Sequence, residues 1–207
     1  MGYKDLRDKL KVISEGILVP IVALLNALGL SPNIVTIIGM LINLIGAYLM
    51  ARGMFIAAGL TILFAGVFDM LDGALARKMK KISKFGGFLD STTDRISEGA
   101  FYFGLVYFYL QAGKPGMVLL SYTVMFLSFL ISYIRSRAGA LQINAEEGIY
   151  TRTERIVTLI LGLLLYRAFD SMLWALGIIA VLSAVTIGQR MYVVYIRAKM
   201  PVKSKRK

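Results

Sequence analysis

Residues 69–94 read DMLDGALARKMKKISKFGGFLDSTTD. Asp69, Asp72, Gly73 and Ala76 stand at offsets 0, 3, 4 and 7, which is one face of an α-helix. Gly86, Asp90 and Asp94, with Glu98 beyond them, recur every four residues and share a face of a second helix. The connection from Lys78 to Lys84 is short and basic, so the spacing predicts antiparallel neighbours with their acidic faces near one end. Both helices continue into apolar sequence. A central aspartate in a membrane span costs roughly 2.5–3.5 kcal/mol on insertion scales, so carboxylates at such positions point to function.

Outward from this stretch the chain is a series of apolar runs. It has 207 residues, of which 57% are hydrophobic and 17% charged, against about a quarter charged in a soluble domain. A span needs roughly 20 apolar residues, and six runs qualify: about 33–51, 54–77, 88–111, 116–138, 153–169 and 171–197. The expected fold is therefore an all-α integral membrane protein with six transmembrane helices. The net charge is +12, gathered at Lys4–Lys11, Arg77–Arg95, Arg135–Arg155 and Arg190–Lys207, while Arg52, Lys114 and Arg167 stand alone in the other connections. That alternation is the positive-inside pattern, and it excludes a nucleic-acid reader, whose charge would gather on one face. It predicts a multi-pass protein of the cell membrane, with both termini and the acidic site on the cytoplasmic side.

Before the first span, Leu6, Leu10, Ile13, Ile17, Ile21, Leu24 and Leu28 recur every three or four residues, opposite Lys4, Arg7, Lys9, Lys11 and Glu15. Residues 1–30 thus read as an amphipathic helix lying in the interface, bent at Pro20, and not as a cleavable signal. Gly29-Leu30-Ser31-Pro32-Asn33 then turns the chain, with Pro32 in the first turn of span one. Residues 198–207 form a basic tail suited to anionic lipid. With no repeat and no second apolar core, residues 1–207 read as a single membrane domain.

The chain contains no cysteine and no histidine. Disulfides, thiolate metal sites and imidazole bases are excluded, leaving carboxylates, basic side chains and hydroxyls. Convergent carboxylates repel one another, and the hard divalent ions Mg²⁺ or Mn²⁺ relieve that with oxygen ligands. Two such ions about 4 Å apart can clamp the oxygens of a phosphoryl displacement. Gly73, Ala76, Gly86 and Gly87 leave room for a nucleotide, and Arg77 is placed to neutralise a diphosphate.

The eight residues Asp69, Asp72, Gly73, Ala76, Arg77, Gly86, Asp90 and Asp94, at these spacings, resemble the signature of the CDP-alcohol phosphotransferase family. The six spans and the leading amphipathic helix resemble it as well. The likeness implies an enzyme of phospholipid biosynthesis, acting on a CDP-activated lipid such as CDP-diacylglycerol or CDP-archaeol and releasing CMP. It implies two divalent metals on Asp69, Asp72 and Asp90, with Asp94 a further ligand and the base that deprotonates the incoming alcohol. It assigns Asn33, Thr36, Asp69, Gly73, Ala76, Arg77 and Gly86 to the CDP-lipid, and it implies a homodimer. Asn33 and Thr36 also have a local reading, as a helix cap and a hydroxyl bonded to a backbone carbonyl.

Arg135, Arg137, Arg152 and Arg155 stand at the end of span four and the start of span five. Four arginines from two helix ends suit a dianionic phosphate, and as flanking charge they also satisfy the positive-inside pattern. With Ser132 and Glu154 they resemble the phosphatidylinositol phosphate and archaetidylinositol phosphate synthase branch. That likeness implies inositol 1-phosphate as the phosphorylated alcohol acceptor. Glycerol 3-phosphate, as in a phosphatidylglycerophosphate synthase, is the alternative. A cation transporter is the alternative from another class, and it predicts acidic residues near the midplane.

Overall fold

The computed structural model describes residues 20–145, 148–167 and 170–199. Residues 1–19 of the expected interfacial helix and 200–207 of the basic tail lie outside the described residues. Among those described the secondary structure is helical: α1 at 20–27, α2 Pro32–Ala51, α3 Phe55–Lys78, α4 Lys84–Gln111, α5 Pro115–Ala140, α6 Arg152–Leu164 and α7 Ser171–Ala198. The six apolar runs of the sequence are thus six helices. Four of them, α2, α3, α5 and α7, are long and apolar enough to cross a membrane. Helix α4 has the length, at 28 residues, but carries Asp90, Asp94, Arg95 and Glu98. The fifth run was expected to extend to 169, whereas α6 ends at Leu164 after 13 residues, about 20 Å of helix. Leu41, Leu63, Phe126 and Val181 are among many large apolar side chains left exposed, as befits a membrane protein.

The chain packs as two units. The first comprises the residues up to Ile45 together with Thr61–Ser97, and the second comprises Gly46–Leu60 and the residues from Glu98 onward.

In the first unit Val22, Val35, Leu71 and Leu75 are buried together, with Leu25 and Phe68 against them. Helix α1 therefore docks through Val22 and Leu25, while Leu24 and Leu28 of the predicted stripe are 59% and 65% exposed. At its end Gly29 adopts φ +69°, and the Leu30 amide donates to the Leu25 carbonyl at 3.1 Å, a left-handed helix stop. Helix α3 stops the same way at Lys80, φ 52°, with the Lys81 amide donating to the Ala76 carbonyl at 3.0 Å. Here a side chain stands where glycine is usual, at a cost of about 1–2 kcal/mol. Ser31 and Ser83 cap the next helices: Ser31 Oγ accepts from the Ile34 amide at 3.4 Å, and Ser83 Oγ from the Gly86 amide at 2.9 Å.

In the second unit α7 packs on α5 and α6. A Cβ on Gly162 would stand 2.6 Å from that of Ala175, and one on Gly104 would stand 2.5 Å from the Ala47 carbonyl oxygen. Both glycines hold helices at backbone distance. Phe55 sits edge-on to Phe108 and Tyr166, with ring centroids 4.8 and 4.5 Å away.

Candidate active site

In the first unit the start of α2, the second half of α3 and the first turns of α4 enclose a cavity of about 160 Å³. Helix α2 supplies Pro32, Asn33 and Thr36, and α3 supplies Asp72, Gly73 and Ala76. Lys81, Ile82 and Ser83 close one side, and Gly86, Gly87 and Asp90 of α4 complete the wall. The small residues expected to admit a nucleotide do surround open space. Asn33 Oδ1 would lie 3.5 Å from a Cβ on Gly86, so its amide reaches over the bare backbone at that point.

Asp72 and Thr36 are both 7% exposed, and the Thr36 hydroxyl donates to Asp72 Oδ2 at 2.6 Å. The same hydroxyl lies 3.1 Å from the Pro32 carbonyl oxygen, so the local bond foreseen for Thr36 accompanies the long-range one. Capping of α2 falls to Ser31 rather than to Asn33. Asp72 also feels the like charges of Asp90 and Asp69. Asp69 Oδ1 faces α2, where a Cβ on Gly39 would stand 3.4 Å from it.

The signature residues are only partly assembled. Asp72, Asp90, Gly73, Ala76, Gly86, Asn33 and Thr36 share the cavity wall, whereas Asp69, Asp94 and Arg77 do not line it. Asp94 lies 3.9 Å from the Arg95 guanidinium. Arg77 folds back along α3, its Nη1 3.5 Å from where a Cβ of Gly73 would be, and Lys81 is the cation on the wall. The donors are carboxylate oxygens bearing like charge, which suits a hard divalent cation. Among the described residues, however, no three acidic, histidine or cysteine side chains are gathered closely enough to form a ready metal cage.

The profile of the CDP-alcohol phosphatidyltransferase family matches residues 29–203. The chain belongs to this family. As a CDP-alcohol phosphatidyltransferase it is an enzyme, and the transporter reading falls. It is 39% identical over 175 residues to an archaetidylinositol phosphate synthase of Pyrococcus horikoshii, covering 81% of this chain and 85% of that one. Its fold is similar to that of a Mycobacterium tuberculosis phosphatidylinositol phosphate synthase crystallised with CDP-DAG bound, at a TM-score of 0.83 and 32% identity. That match covers 92% of this chain and 98% of the other. A second crystal structure of the mycobacterial enzyme, in complex with manganese and citrate, matches at a TM-score of 0.82 and 31% identity, covering 92% and 93%.

The residues read for an acceptor phosphate lie in the second unit of this CDP-alcohol phosphatidyltransferase. Arg135 and Arg137 are exposed on the last turns of α5, and Arg152 is half-buried at the start of α6. The Ser132 hydroxyl donates to the Ser128 carbonyl at 3.1 Å. Glu154 accepts from the Thr151 amide at 2.7 Å, so it organises the start of α6. Just ahead, the Tyr150 hydroxyl donates to Thr158 Oγ1, and burial lifts its phenol above the ordinary range, so it stays protonated at neutral pH.

Arg155 is 1% exposed, with Nε and Nη2 on the two carboxylate oxygens of Glu98 at 2.7 and 2.9 Å. Glu98, which the spacing placed on the acidic face of α4, is therefore paired with an arginine. Arg190, read as the start of the last basic cluster, is 3% exposed on α7 and donates to the Ile131 carbonyl at 2.9 Å. Its place inside the sixth apolar run, ahead of the lysine-rich end, was the available signal.

Proposed function

We propose that this enzyme transfers the phosphatidyl-type group of a CDP-activated lipid to inositol 1-phosphate, with release of CMP. The observation that carries the reading is the cavity in which Thr36, Asp72 and Asp90 face the small residues Gly73, Ala76 and Gly86. The names of the relatives support the choice of acceptor. CDP-diacylglycerol and CDP-archaeol are both suited to an apolar protein surface.

In this mechanism Gly73, Ala76 and Gly86 admit the cytidine and its phosphates, and Asn33 and Thr36 border them. Arg77 swings off Gly73 to meet the diphosphate. Asp69, Asp72, Asp90 and Asp94 would hold two Mg²⁺ or Mn²⁺ ions, which would supply charge neutralisation at the phosphates. Asp94 takes the proton from the acceptor hydroxyl. The oxygen so freed bonds to the lipid-side phosphorus as the bond from that phosphorus to the CMP oxygen breaks. Ser132, Arg135, Arg137, Arg152 and Arg155 receive the acceptor phosphate. Residues 1–207 act as a single domain of the cell membrane, a homodimer with six spans and an N-terminal interfacial helix. Both termini and the site face the cytoplasm.

The test is CMP release by purified protein with CDP-diacylglycerol or CDP-archaeol and Mn²⁺, with four alcohols offered separately. Inositol 1-phosphate alone is expected to support release. Release with glycerol 3-phosphate alone would keep the chemistry and replace the acceptor. Release with inositol or serine would remove the phosphate pocket from the reading.

A further inference from the structure

The Glu98–Arg155 pair leaves one part of itself unfinished. Both residues are 1% exposed, and their twin bonds consume Nε and Nη2 of the guanidinium. Nη1 is buried without a hydrogen-bond partner, and Tyr102, one turn further along α4, is fully buried beside the same pair. Buried donors are nearly always satisfied, and a guanidinium that keeps one idle calls for an acceptor. A carboxylate held two-pronged fixes the plane of the guanidinium, and with it the direction in which the idle nitrogen points.

We propose that Glu98 is a positioning residue: it locks Arg155 so that Nη1 stays aimed at the phosphate of the acceptor. The inference rests on the reading of a phosphorylated acceptor and adds a residue that touches no substrate. An alternative occupant of the gap is a buried water, which would make the pair purely structural. Positioning and structure separate in the kinetics, because a misaimed arginine weakens one substrate only.

The experiment measures KM for each substrate separately in wild type, Glu98→Gln and Glu98→Asp, using CMP release and a melting curve for each protein. Glu98→Gln is expected to raise the KM for inositol 1-phosphate tenfold or more, leaving the KM for the CDP-lipid within twofold. Glu98→Asp, which keeps the charge, is expected to recover part of that loss. An acceptor KM within twofold of wild type in folded Glu98→Gln would overturn the proposal, as would equal changes in both KM values. If neither variant folds, the pair is structural and the proposal falls. Wild-type turnover with inositol 1-phosphate tests the acceptor reading by itself. Should the wild type use glycerol 3-phosphate instead, the same comparison is made with that acceptor.

Discussion

Replacing Thr36 with valine tests the assembly of the cavity with a change of one hydroxyl. The side chains have nearly the same shape, so packing around a residue 7% exposed is preserved. What is lost is the 2.6 Å bond to Asp72 Oδ2. A hydrogen bond to a charged group contributes about 1.5–3 kcal/mol. That bond orients a carboxylate already pressed by Asp69 and Asp90. If Asp72 is a metal ligand, Thr36 is the group that aims it, and such partners typically carry about 10- to 100-fold in metal affinity or activity. At 1.4 kcal/mol per tenfold, the hydrogen-bond figure gives a similar range. The assay is CMP release against Mn²⁺ concentration at saturating substrates, with thermal unfolding as a control. Thr36→Val is expected to shift the metal midpoint upward by about tenfold to a hundredfold, with turnover largely restored at high Mn²⁺. Thr36→Ser, which retains the hydroxyl, is expected to stay near wild type. A Thr36→Val midpoint within twofold of wild type, in a protein of unchanged melting temperature, would refute the link between this bond and metal binding.

Asp94→Asn is expected to fold and to bind CDP-lipid while CMP release is lost, and near-normal release would remove Asp94 as the base. Gly104→Ala would push a methyl to 2.5 Å from the Ala47 carbonyl oxygen. Overpacking of that kind costs about 1–3 kcal/mol, which should appear as a melting temperature lower by several degrees in detergent, and no change would show that α2 and α4 can part at that point.

The helices were legible because a membrane demands length and apolarity together, and little else in this chain has both. Gly29 and Pro32 marked a turn and a helix start, and helix α2 begins at that proline. Composition misjudged α6. Leu165 and Tyr166 prolong its apolar run, yet α6 ends at Leu164, because apolarity alone does not distinguish a helical turn from an apolar connection. The stripe of α1 shows a related limit. Periodicity found Leu24 and Leu28, but the residues docked on the protein are Val22 and Leu25, one face around. In a membrane setting the strongest apolar stripe need not be the one that faces the protein.

The α4 face shows how far spacing carries a functional reading. Asp90, Asp94 and Glu98 repeat every four residues on one helical face. Asp90 lines the cavity, Asp94 neighbours Arg95, and Glu98 is buried against Arg155, 57 positions away. Nothing local separates these three environments. Periodicity fixes which way a side chain leaves its helix, whereas its role depends on what the neighbouring helix presents at that height. For Asp72 that neighbour is Thr36, 36 positions earlier, and for Glu98 it is an arginine that the sequence read as a phosphate ligand or as flanking charge. One acidic face thus divides into a carboxylate at the cavity and a carboxylate spent on an arginine. Asp90→Asn should therefore abolish metal-dependent CMP release, whereas Glu98→Gln should raise the KM for the acceptor.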